Sequence, residues 1–188
     1  ELHALLLEEP ENHLSHVSMK RLVNQLATER QTQVVIATHS SHISSRLDLR
    51  KAILLGATRP VLMNELSAET AAFFMKAPDN NVLEFALARR VEGDAEFILI
   101  EAFYRRLYGR APEEDGVHII AIGGTSFRRY LELARLLENR VAALRDNDGN
   151  YQQNCDERYA DVLCSRSRVF ADRDKTRSTF EISLYQDN

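Results

Sequence analysis

The chain has 188 residues, 44% hydrophobic and 28% charged, which is ordinary globular usage and excludes disordered and fibrous classes. No apolar run approaches the roughly 20 residues that cross a bilayer, so we expect no membrane partner. The first residues lack the basic segment of a signal peptide, and the spacing of Cys155 and Cys164 matches no common zinc or redox motif. We therefore expect a cytoplasmic protein with reduced thiols. The formal net charge of −4 excludes nucleic-acid binding by bulk charge alone.

The first predicted elements alternate between strand and helix. Short apolar runs over 2–7, 33–37 and 51–55 predict buried strands, and apolar spacing over 17–30 predicts a helix. This alternation is typical of an α/β fold with parallel strands. Because the first strand opens without a preceding loop, we expect the chain to be part of a longer protein. Turn-forming residues at 77–81 predict a junction.

Beyond that junction the same alternation starts again. Helices are predicted over 95–108, 126–139 and 156–163, with the start of another at Phe180. Strands are predicted over 117–122, 141–144 and 169–170, and a glycine turn over 123–125. The predicted domains are residues 1–60, a linker over 61–85, and residues 86–188.

Two acids end the first predicted strand and a histidine ends the second. Glu8 and Glu9 follow the apolar run, and His39 follows 33–37. The carboxyl ends of parallel strands are where open α/β sheets bind ligands, and acids there can hold Mg²⁺ or orient an attacking water. Taken singly, each of these residues is more often structural.

In this order, the three residues and their neighbours resemble the Walker B, D-loop and H-loop run of ABC-type ATPases over about residues 1–58. The resemblance implies a partial ATP site made of Glu8, Glu9 and His39. No G-x-x-x-x-G-K-[ST] phosphate loop occurs in the sequence. We therefore expect ATP to be a cofactor of the full-length protein only.

Four further carboxylates form two spaced pairs. Glu92 and Glu96 open a predicted helix, whereas Asp146 and Asp148 follow a predicted strand. Acids at adjacent strand ends would converge, and hard oxygen ligands suit Mg²⁺ or Mn²⁺. Either pair alone is more often a surface turn or a solvated helix face. Both together, in this order within an α/β pattern, favour a metal site.

This pairing resembles a Toprim domain, and a Toprim domain after an ABC-type ATPase half is the layout of the OLD (overcoming lysogenization defect) nucleases. That group includes the nuclease component of the Gabija anti-phage system. The resemblance implies an ABC-type sheet end followed by a Rossmann-like parallel sheet. It implies that Glu92, Glu96, Asp146 and Asp148 are catalytic and bind two Mg²⁺ or Mn²⁺ ions, with Glu181 as a further ligand.

The predicted function is a two-metal DNA endonuclease coupled to an ABC-type ATPase, in anti-phage defence or DNA processing. Arginine outnumbers lysine and its planar fork suits phosphate, so the clustered arginines are candidate DNA contacts. These are Arg128, Arg129, Arg166 and Arg168. We expect a homo-oligomer, with a helicase-like or other defence protein as a further partner. The alternatives are an ABC-type ATPase with a non-catalytic, nucleic-acid-binding or assembly Toprim-like module, and an RNA-processing Toprim nuclease.

Overall fold

A computed structural model of the chain separates into two compact units, Glu1–Glu84 and Phe85–Asn188. The residues that it describes are 4–12, 14–28, 32–40, 43, 47–55, 59–76, 89–91, 94–119, 122 and 126–187. Among these residues, no helix is both long and apolar enough to span a bilayer.

The amino-terminal unit contains a parallel strand pair with a helix between its strands in sequence. Strand β1 (Ala4–Glu8) pairs with β2 (Gln33–Ala37) in parallel, and helix α1 (His16–Thr28) connects them. Met19 and Val23 of α1 are buried in one small core with Ile43, against which Ile36 packs. The prediction of parallel strands is confirmed for this pair.

The next stretch of chain forms short elements, of which only the strand within 51–55 was predicted. Strands β3 (Ile53–Leu55) and β4 (Pro60–Leu62) pair antiparallel, and helix α2 (Ala68–Lys76) comes after them. Two 3-10 turns, Leu49–Lys51 and Met63–Glu65, flank the pair. The expectation that 51–55 joins a parallel sheet is therefore wrong, because its partner is the next strand in sequence.

Residues 61–76 lie in the range predicted as a linker, yet they are folded. Val61, Met63, Leu66 and Phe74 are all buried. The strand β4 and the turn Met63–Glu65 escaped prediction because elements of three residues are too short to show a hydrophobic period. The division of the chain into domains stays a prediction.

The carboxyl-terminal unit is built on a four-stranded sheet in which every pair is parallel. In sequence its strands are β5 (Arg89–Val91), β6 (Val117–Ile119), β7 (Val141–Leu144) and β8 (Ser167–Phe170). Its helices are α3 (Asp94–Tyr108), α4 (Phe127–Leu136) and α5 (Phe180–Asp187). The strands lie in the order β6-β5-β7-β8. The predicted parallel α/β arrangement is therefore confirmed in this unit.

The core of this unit lies against β7 and β8. Leu131 of α4 is buried with Tyr159 and Val162, and Val141 and Val169 pack against them. Tyr159 follows a π-helical stretch, Gln152–Glu157, whereas the sequence predicted a helix over 156–163. The helical segment thus begins earlier than predicted, and Cys155 and Tyr159 are both buried.

Candidate metal centre and a second strand-end site

The point at which the strand order reverses lies between β5 and β7. The chain runs from β5 outward to β6 and then returns to β7 on the opposite side of β5. In open parallel sheets, ligands bind at the carboxyl ends of the strands beside such a reversal. Asp146 and Asp148 follow β7 at this edge. Glu92 and the side chain of Glu96 lie outside the described residues.

Asp146 is oriented by a helix that begins far along the chain. Its Oδ1 accepts a hydrogen bond from the backbone N–H of Phe180, the first residue of α5, at 2.8 Å. A carboxylate at a helix N-terminus is stabilised by unpaired N–H groups and by the helix dipole. Within the described part of the chain, nothing donates to Asp146 Oδ2. Glu181 comes next after Phe180 and is exposed in the first turn of α5.

Asp148 is held differently, by a neighbouring cation. Its backbone is left-handed (φ 49°), as is that of Gly149 (φ 78°), so these residues form a tight turn after β7. Asp148 Oδ2 accepts a hydrogen bond from an Arg145 Nη2 at 2.6 Å. Since β7 ends at Leu144, strand alternation does not place Asp146 and Asp148 on one face.

Arg145 is a nearly buried cation that the sequence analysis did not single out. Its side chain is only 12% exposed. Besides Asp148, it donates to the carbonyls of Asp146 (2.8 Å) and Asn154 (3.2 Å) and to the Tyr159 hydroxyl (2.8 Å). Its guanidinium also lies 5.8 Å from the centre of the Tyr159 ring. This network holds the Arg145 guanidinium beside Asp148. A buried cation needs such hydrogen bonds and an opposite charge to offset its removal from water.

The buried side chain of Asn147 anchors the turn, and its role was not predicted from the sequence. It is 1% exposed, and its Nδ2 donates to the carbonyls of Asp172, Asp174 and Arg177 at 2.8, 3.0 and 3.0 Å. Its Oδ1 accepts from the Gly149 N–H at 2.6 Å. Nothing in an Asp-Asn-Asp-Gly sequence distinguishes such a buried amide from an ordinary exposed turn residue.

A small open cavity of about 190 Å³ lies beside Asp146. Acidic and basic groups both face it, including Asp172 and Arg177. Hydrogen bonds from the Asp174 N–H and the Ser183 hydroxyl lower the pKa of Asp172, so this acid is engaged in holding its own loop. Among the residues that the structure describes, no three metal-binding side chains converge.

The predicted DNA-contact arginines fall into different environments. The guanidinium of Arg128 binds the Asp161 carboxylate with both terminal nitrogens and lowers the pKa of that carboxyl. Arg166 donates to the Glu138 carbonyl at 2.9 Å. Arg129 lies on α4 beside Arg128. Arg168 is exposed on β8, which is the edge strand of the described sheet.

In the amino-terminal unit, Glu9 and His39 lie together at the ends of β1 and β2. Glu9 Oε1 is 3.2 Å from His39 Nδ1, and Glu9 Oε2 accepts from Asn12 at 2.7 Å. The backbone of Glu9 is left-handed (φ 42°), a conformation that costs about 1 kcal/mol or more for a residue other than glycine. Its N–H donates to the Ala37 carbonyl at 2.8 Å. Glu8 is exposed at the end of β1.

A third acid at this edge, Glu11, was not predicted as a site residue. Its side chain is 11% exposed, and its Oε1 accepts from the Thr38 hydroxyl at 2.6 Å and lies 3.7 Å from His39 Nδ1. Burial raises the pKa of Glu11, but the hydrogen bond from Thr38, backbone hydrogen bonds and the charge of His39 together outweigh it, so the net pKa is lowered. Glu11 Oε2 is buried without a partner in the described part of the chain.

The sheet is parallel, and its acids follow the strand at the switch point, where open α/β sheets bind ligands. Residues 90–148 match the family model of the overcoming lysogenization defect protein-like TOPRIM domain. The chain therefore carries an OLD-like Toprim domain, which confirms that prediction. The match runs from β5 to Asp148 and so spans all four predicted catalytic carboxylates. No curated protein matches the chain.

Proposed function

We propose that this chain is part of a divalent-metal-dependent DNA endonuclease that hydrolyses phosphodiester bonds. The observation that carries the proposal is Asp146, which follows β7 in the matched Toprim segment with one oxygen held by Phe180. A carboxylate held in this way presents its second oxygen in a fixed direction, as metal-ligating carboxylates do.

The proposed donor set suits Mg²⁺ or Mn²⁺, since it consists of carboxylate oxygens. The proposed ligands of two ions are Glu92, Glu96, Asp146 and Asp148, with Glu181 at the start of α5 as a further one. Bound ions would supply a deprotonated water and charge stabilisation for the leaving oxygen.

The protein's own part in the reaction is to orient and to bind. The Phe180 N–H fixes Asp146, and Arg145 fixes Asp148. We assign DNA phosphate contact first to Arg168, because it is exposed on an edge strand whereas Arg128 and Arg166 already bind protein oxygens. Phosphate contacts of this kind position DNA without reading its sequence.

We further propose that the full-length protein couples this nuclease to an ABC-type ATPase. The support is the adjacency of Glu9 and His39 at the carboxyl edge of β1 and β2, where a nucleotide phosphate and an attacking water can be held. ATP would bind only once a phosphate loop is supplied. We propose that the full-length protein is a homo-oligomer that works in anti-phage defence or DNA processing, with a helicase-like or other defence protein as a partner.

The test is Mn²⁺- and Mg²⁺-dependent plasmid cleavage by the chain and its Asp146→Asn variant. Asparagine keeps an oxygen for the Phe180 N–H but removes the negative charge, so we expect cleavage to fall at least about 100-fold with the fold retained. The matched control is Asp156→Asn, which changes an exposed acid of the same unit and should cut at the original rate. Cleavage by Asp146→Asn at the original rate would defeat the assignment.

One observation favours the alternative of an ABC-type ATPase with a non-catalytic Toprim-like module. The Arg145 cation already neutralises Asp148, which is a ligand of the proposed site. If the chain binds DNA but does not cut it with either metal, and binding is equal with and without Mn²⁺, the alternative holds.

A further inference from the structure

We propose that Asn147 is a positioning residue for the metal site, through its hold on residues 172–180. This inference rests on the proposed function, because it assumes that Asp146 binds a metal ion. Asn147 itself does not face the metal. It acts by fixing the segment that orients Asp146.

Three consecutive residues after β7 each bind this distant segment. Asp146 accepts from the Phe180 N–H through its side chain, and the Asp148 N–H donates to the Ser178 carbonyl at 3.2 Å. Between them, the Asn147 amide lies among the carbonyls of Asp172, Asp174 and Arg177. The contacts of Asn147 span the segment, whereas those of its neighbours lie at one end of it.

The chemistry at this position requires a neutral donor. Three carbonyl oxygens surround Nδ2, and the Gly149 N–H points at Oδ1, so the site demands a group that donates on one side and accepts on the other. An asparagine side chain has this pattern, whereas aspartate would place a second acceptor against the carbonyls. At 1% exposure, water cannot replace a lost donor without rearrangement of the turn.

Loss of this anchor releases the start of α5 and therefore the group that orients Asp146. The same segment carries Thr179, whose hydroxyl accepts from Ile182 N–H at 3.4 Å within the first turn of α5. Glu181 belongs to that turn as well. Asn147 thus couples the 145–149 loop to a proposed ligand that is remote in sequence.

The experiment measures Mn²⁺ affinity by calorimetry and, independently, by the electron paramagnetic resonance signal of free Mn²⁺. We compare the chain with Asn147→Ala, Asn147→Asp and Asn147→Ser, at temperatures well below each unfolding midpoint. Changes to groups that orient metal ligands typically weaken metal binding about 10- to 100-fold, and we expect this for Asn147→Ala. Asn147→Ser keeps one donor and should lie between Asn147→Ala and the original chain.

Asn147→Asp separates positioning from charge. An added negative charge near the site strengthens Mn²⁺ binding if only electrostatics matters, whereas loss of the amide donors weakens it. We expect Asn147→Asp to bind Mn²⁺ more weakly than the original chain. Tighter binding by Asn147→Asp would overturn the proposal. If either variant fails to fold, the Mn²⁺ affinity of Asn147→Ser decides: weaker binding than in the original chain supports the proposal, and unchanged binding overturns it.

Val162→Ala controls for stability alone. Val162 lies in the core with Leu131 and Tyr159, so its truncation destabilises the same unit without removing a contact to residues 172–180. Equal loss of Mn²⁺ affinity in Val162→Ala and Asn147→Ala would overturn the positioning role. Asp146→Asn is the reference for the site: unchanged Mn²⁺ affinity there contradicts the proposed function, whereas a loss there with none in Asn147→Ala contradicts only this inference.

Discussion

Both strand-end sites have acids at the carboxyl ends of parallel strands, but different kinds of hydrogen-bond donor orient those acids. In the amino-terminal unit, Glu9 and Glu11 are held by side chains at the end of the neighbouring strand, His39 and Thr38. In the carboxyl-terminal unit, Asp146 is held by a backbone N–H that lies 34 residues further along the chain. Parallel strands thus bring acids to one edge, and the hydrogen-bond donors beyond the strand ends decide how firmly each acid is oriented.

The largest effect on stability should come from removing the hydroxyl that holds Glu11. Thr38→Val keeps the shape of the side chain but removes the side-chain donor of the buried Glu11 carboxylate, which costs about 1–3 kcal/mol. Urea unfolding of the amino-terminal unit would measure this loss. Thr38→Ser keeps the hydroxyl and should cost clearly less, and equal unfolding free energies for Val and Ser would show that the hydrogen bond contributes little.

A smaller effect on stability is expected at Asp146, where two substitutions separate the loss of the hydrogen bond from the loss of the charge. Asp146→Ala removes the acceptor for the Phe180 N–H and should cost about 1 kcal/mol, as loss of a helix cap does. Asp146→Asn keeps an acceptor and should cost less than half of that. Thermal unfolding without metal tests the difference. Destabilisation of both variants to the same extent would mean that the charge of Asp146, rather than its hydrogen bond to Phe180, stabilises α5.

The smallest effect concerns the pH dependence of the amino-terminal unit. Because the pKa of Glu11 is lowered in the folded chain, its contribution to stability is present above the ordinary carboxyl value of 4.5 and is lost as pH falls through the folded value. The effect is modest, since burial opposes the hydrogen bond in setting this pKa. At pH 7 the unfolding midpoint of Thr38→Val should lie below that of the original chain, and below pH 4 the two midpoints should converge. A difference between the midpoints that stays constant with pH would contradict this linkage.

The sequence predicted the parts of the fold whose patterns are long or continuous. The predicted bounds of β2 and β7 match the observed ones because their apolar runs are unbroken, and those of α3 agree within one residue. The strand β4, which pairs antiparallel with β3, was missed because a three-residue strand carries no period. The OLD-like Toprim domain was predicted because its paired acids keep their order along the chain.

The supporting residues of the sites could not be predicted in the same way. Asn147, Arg145 and Glu11 resemble ordinary turn or surface residues in sequence, and only burial and distant partners show what they hold. The carbonyls that bind Asn147 lie 25 to 30 residues away, beyond any local pattern. The roles of Glu92 and Glu96 as metal ligands stay predictions.

The long-range bond between Asp146 and Phe180 also has a consequence for the order of folding. Closing a loop of 34 residues carries an entropic cost that must be met before the contact contributes anything. β8 lies between these residues in sequence and pairs with β7, so its docking shortens the remaining search. We therefore expect Asp146 to be oriented late in the folding of this unit, once α5 has formed. A growing polypeptide would acquire its metal-binding geometry only after α5 has been synthesised.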